Sequence, residues 1–91
     1  MRKFMIEREI PGVGKLDSCG LAEAARKSNT ALAALGTGIQ WQQSFVTENR
    51  TYCVYLAENE ELIRQHAAKS GFPATRVTEI TGVIDPSTAV G

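Results

Sequence analysis

The 91-residue chain has little of what specialised chemistry usually requires. It carries one histidine and two cysteines, and Cys19 and Cys53 lie too far apart for a CxxC or zinc spacing. That excludes a zinc finger or a dithiol redox motif, and makes a reducing cytoplasm the expected compartment. Charge of one sign is also missing. Ten basic residues balance ten acidic ones, so nucleic acid and anionic membranes are not expected partners. No apolar run is long enough for a signal peptide or a membrane span, and the opening Met1-Arg2-Lys3-Phe4 turns acidic at Glu7. Gly12-Val13-Gly14-Lys15 falls short of a phosphate loop, which needs GxxxxGK[ST] opening a helix; here Leu16 follows the lysine.

What is present is an ordinary globular composition, 43% hydrophobic and 22% charged, which argues against disorder. The length predicts one domain over residues 1–91, with a core over about residues 3–86 and a loose tail after Asp85-Pro86. A domain this small buries a modest share of its surface, so covering a sheet face with a second copy would stabilise it.

Residues 3–10 alternate, with Phe4, Ile6 and Ile10 on one face and Met5, Glu7 and Glu9 on the other, which predicts a strand. Asp17 or Ser18 caps a predicted helix running to about Leu35, before Gly36. Leu21, Ala25, Ser28, Leu32 and Leu35 share its apolar stripe, and Ser28 is expected to bond back to a carbonyl one turn earlier. Residues 39–47 and 51–57, rich in aromatic and β-branched residues, predict a hairpin around Glu48-Asn49-Arg50. Asn59 caps a second helix that Gly71 ends, and residues 76–84 predict a last strand. Strand, helix, hairpin, helix, strand is the order of an α+β, ferredoxin-like βαββαβ domain. Its four-stranded antiparallel sheet has the first and third strands central and both helices on one face.

The helices are expected to cover Phe4, Ile6, Val54, Leu56, Ile80 and Ile84. Pleating then sends Met5, Glu7, Glu9, Cys53, Tyr55, Glu79, Thr81 and Val83 to the open face, while a one-residue slip could put Trp41 on either. That face mixes an aromatic ring, a thiol and aliphatics with carboxylates. It predicts a homodimer, an eight-stranded dimeric α/β barrel, with Tyr55, Trp41 and Glu79 as candidates to bind a ligand between the sheets. Glu7 and Glu9 project on one side, and His66 lies on the sheet-facing side of the second helix. These three are the candidate metal ligands. The plainer readings are a solvated strand face for the two glutamates and a hydrogen-bonded core position for His66. Cys53 reads as a small buried hydrophobe and Cys19 as incidental.

Several runs together resemble a bacterial family of short ferredoxin-like proteins catalogued as a domain of unknown function. They are Ile6-Glu7-Arg8-Glu9-Ile10-Pro11-Gly12, Ile39-Gln40-Trp41, Ser44-Phe45-Val46-Thr47, Tyr52-Cys53-Val54-Tyr55-Leu56-Ala57, His66-Ala67 and Gly71-Phe72-Pro73-Ala74. The resemblance covers roughly residues 3 to 86. It implies a ferredoxin-like protomer, a homodimer and no established enzyme activity, and one family member is described as a nickel-binding protein with a proposed sequestering role. The expected function is therefore non-catalytic binding of nickel or another divalent ion. The alternative is a cofactor-free dimeric α/β barrel enzyme, or a binding protein for a small hydrophobic or aromatic molecule.

Overall fold

The computed structural model describes residues 1–90, so Gly91, the end of the expected tail, lies outside the described residues. Four strands, β1 (Arg2–Glu9), β2 (Ile39–Val46), β3 (Arg50–Ala57) and β4 (Arg76–Ile80), form one sheet in the order β2-β3-β1-β4. Every neighbouring pair is antiparallel. Two helices, α1 (Ser18–Leu35) and α2 (Glu60–Ser70), complete the ferredoxin-like α+β arrangement. Among the described residues no helix is long and apolar enough to cross a membrane.

Local chemistry sets the helix ends. Asp17 Oδ1 accepts from the Gly20 N–H at 2.8 Å, and Asn59 Oδ1 accepts from the Leu62 N–H at 3.0 Å. Each cap satisfies one of the donors that a helix start leaves free. Gly71 ends α2 at a φ of 80°, which a side chain would resist. Both helices cover one sheet face. Phe4, Ile6, Ile39, Cys53, Tyr55, Ala57 and Ile63 form the core there, with Leu32, Leu35 and Leu62 packed against it.

The register reverses two expectations about facing. Phe4 lies opposite Tyr55 and Ile6 opposite Cys53, so Cys53 and Tyr55 face the helices while Val54 and Leu56 turn to the open side. Tyr52 to Leu56 is apolar or aromatic throughout. Alternation therefore marks neither face of β3, and pairing with β1 decides. In β4, Val77 pairs with Ile6 and Glu79 with Phe4, which sends Ile80 to the open side opposite Lys3. This strand stops at Ile80, short of residue 84, and Val83 and Ile84 are exposed. A short 3₁₀ turn at Pro86–Val90, exposed throughout, occupies the tail.

β2 settles the side of Trp41 through a bulge. Trp41 pairs with Tyr55, Gln43 with Val54 and Ser44 with Cys53, so Gln42 is the extra residue. Trp41 before the bulge, and Ser44 and Val46 after it, therefore all face the helices, and Phe45 turns outward.

Candidate functional site

A cavity of about 300 Å³ lies between α1 and the helix-covered face of the sheet. That is roughly twice the ~150 Å³ apolar cavity that admits benzene. Sequence explains the space. α1 presents Ala24, Ala25 and Ser28 to it, where larger residues would close it. Thr51, Cys53 and Tyr55 of β3, with Trp41, Ser44 and Val46 of the bulged β2, supply the opposing surface. A 3₁₀ turn, Val13–Lys15, brings Val13 and Leu16 to one end, and Phe72 after α2 contributes at Arg8. Gly14 lets this turn dock on the β2–β3 hairpin: its N–H donates to the Glu48 carbonyl at 3.0 Å, and a Cβ there would meet the Thr47 carbonyl oxygen at 2.7 Å.

The aromatic side of the cavity is held in place. Trp41 Nε1 donates to Ser44 Oγ at 2.9 Å, and the Trp41 ring stacks 6.4 Å from that of Tyr55. Behind Tyr55 runs a buried polar chain. Ser28 Oγ lies 3.2 Å from Tyr55 Oη and 3.2 Å from His66 Nε2, and His66 Nε2 is 3.3 Å from the Ser28 carbonyl oxygen. Ser28 thus bonds across the core rather than back along its own helix, because two polar partners reach it there. A carbonyl only accepts, so His66 holds its proton on Nε2, and Nδ1 is buried without a partner. Burial, with the positive charge of Arg8 adding to it, lowers the His66 pKa against the smaller pull of the Ser28 carbonyl. Burial likewise pushes the Tyr55 phenol up, opposed by its Ser28 hydrogen bond and by Arg8.

Arg8 is the charged member of the lining, and only 2% of it is exposed. Its Nη1 donates to the Pro73 carbonyl at 2.8 Å and lies 3.5 Å from that of Phe72, whose ring sits 5.9 Å from Cζ. Nη2 is buried and has no hydrogen-bond partner. Among the described residues no carboxylate lies within ion-pair distance of this guanidinium.

The fold brings some of the sequence candidates together and separates the others. Tyr55 and Trp41 share the cavity, on the helix side rather than the open face. Glu79 is far from it in role: it is exposed and takes Arg2 Nη2 at 2.7 Å, which holds its carboxyl below the ordinary range. Glu7 and Glu9 project from the open side of β1, with Glu7 3.8 Å from Arg76 Nε, whereas His66 is buried under the helices. The sheet therefore stands between His66 and the two glutamates, and one protomer does not assemble the three as a ligand set. Among the described residues no group of three or more His, Cys, Asp or Glu side chains is arranged to hold a metal ion. Arg8 escaped attention in the sequence, although it has the parity of Phe4 and Ile6, and a charge on a core face is itself a signal. The bulge at Gln42 left no such mark.

The family model described as "Nickel responsive protein SCO4226-like" matches residues 4–80. The chain belongs to this family. Among solved structures, SCO4226 from Streptomyces coelicolor A3(2) superposes with a TM-score of 0.75 at 15% identity, covering 90% of this chain and 99% of that one. At that identity the likeness establishes the shared fold. No curated protein matches the chain. The SCO4226-like assignment agrees with the resemblance drawn from the strand and turn residues, and it spans the elements that enclose the cavity from Arg8 to Phe72.

Proposed function

We propose that this SCO4226-like protein is a non-catalytic homodimer that binds a small hydrophobic or aromatic molecule between α1 and the sheet. The cavity carries the reading: it is large, mostly apolar, and walled by two stacked aromatic rings whose positions are fixed by hydrogen bonds. Its lining offers hydrocarbon surface, hydroxyls, a thiol and a guanidinium. That set suits holding a molecule more than moving its protons, since the phenol is pushed up. Dimerisation is supported by the open face, where Met5, Phe45, Tyr52, Val54, Leu56 and Ile80 share one side of the sheet.

Trp41 is the only tryptophan and lines the cavity, so its fluorescence reports occupancy directly. Titration with 1-octanol should give a saturable change, and Ala25→Phe, which fills the space from α1, should abolish it. A wild-type signal that never saturates up to the solubility limit would remove the reading.

A second reading rests on the family's description as nickel responsive and on Glu7 and Glu9 sharing the open side of β1. Here a divalent ion is bound by carboxylates at that face, with water completing its shell. Calorimetry of tag-free protein with nickel should then show heat that Glu7→Gln/Glu9→Gln removes. Equal heats for the two proteins would dispose of it.

A further inference from the structure

We infer that the molecule held in the cavity is a monocarboxylate with an apolar body, its carboxylate seated on Arg8; this rests on the binding reading above and specifies its ligand. The argument starts from the cost of the arginine. A guanidinium stays protonated at any physiological pH. Removing it from water without a counter-charge is strongly unfavourable. Arg8 is nonetheless only 2% exposed, with Nη1 satisfied by backbone carbonyls and Nη2 without a hydrogen-bond partner. The groups facing it do not neutralise it. They are the Phe72 ring, two carbonyls, a phenol pushed up in pKa and a histidine pushed down in pKa, so both titratable neighbours are neutral. Thr51, directly opposite Arg8 across the β1–β3 pair, adds a hydroxyl whose partner within the protein is the Cys53 thiol at 3.5 Å. A planar guanidinium edge beside hydroxyl donors is a carboxylate receptor.

The rest of the lining fixes the remainder of the ligand. Leu16, Leu21 and Val46 are partly exposed at the margin of the cavity, so an apolar body can extend from the buried arginine toward them. The volume suits a molecule of about ten to twelve non-hydrogen atoms, judged against the ~150 Å³ that takes benzene. One buried cation in an otherwise uncharged lining favours one negative charge. A phosphate's second charge would have no partner.

Octanoate and 1-octanol, matched in chain length, separate this inference from the reading beneath it. In the wild-type protein octanoate should bind at least about tenfold more tightly than 1-octanol, the preference a charge-assisted hydrogen bond provides. Running 3-phenylpropanoate beside octanoate distinguishes an aromatic from an aliphatic body. Arg8→Met should reduce the preference for octanoate over 1-octanol to near unity, with circular dichroism checking that the variant is folded. Equal wild-type affinities, or a preference that survives Arg8→Met, would overturn the carboxylate and leave the cavity reading standing. If neither probe saturates, both fail together. The wild-type comparison decides even if the variant does not fold.

Discussion

His66 shows how one buried side chain ties stability to pH. It is 1% exposed, its ring centroid is 5.1 Å from that of Tyr55, and its protonated Nε2 meets Ser28. Burial and Arg8 hold its pKa below the unfolded value near 6.5. Between the two values the unfolded chain binds a proton that the folded chain refuses, so stability falls as pH drops below about 6.5 and levels off beneath the folded value. Melting temperature should therefore decline between pH 7 and 5 in the wild type, and His66→Gln, which keeps a donor for the Ser28 carbonyl, should flatten that decline. An unchanged slope in the variant would assign the proton elsewhere. Arg8 makes the complementary point: a residue of the core face by parity, it carries a charge that the protein itself leaves without a counter-ion.

At the scale of elements, legibility followed how local the controlling chemistry is. α1 and α2 begin where Asp17 and Asn59 stand, and the hairpin turns at residues 47–49, because a cap or a turn acts within a few residues. The direction each strand faces is different. In β1, the carboxylates Glu7 and Glu9 mark the open side, and Phe4 and Ile6 are inward as expected. In β3, Tyr52, Cys53, Val54, Tyr55 and Leu56 offer either face an apolar set, so only pairing with Ile6 and Phe4 selects Cys53 and Tyr55 for the core. β4 is short, and its register with β1 makes Val77 the inward residue. The bulge in β2 then adds a parity change that no composition announces. That Tyr55 and Trp41 line one cavity, and on which side of the sheet they meet, was therefore decided by strand pairing rather than by composition.

For the molecule as a whole, the reversed register makes the open face more apolar than alternation suggested. Met5 pairs across to Val54, with Tyr52, Leu56, Phe45 and Ile80 on the same side and Lys3, Glu7 and Arg76 among them. Such a face on so small a domain favours a second copy. Light scattering should give twice the 9.9 kDa chain mass at micromolar concentration, and Met5→Glu, which puts a charge at the centre of the face, should return it to the monomer mass. Because the cavity lies on the other side, that monomer should still bind 1-octanol; a wild-type chain already monomeric would remove the interface. By itself the sequence determined the element order, the helix caps, the fold class and the family, since those depend on residues close together in the chain or on its overall pattern. Tertiary structure alone decided which residues β3 and β4 turn inward, that Arg8, Ser28, Tyr55 and Trp41 surround one space, and that His66 and the glutamates stand on opposite sides of the sheet. The pairing of strands far apart in sequence sets those outcomes, and a shift of one residue would exchange the two faces.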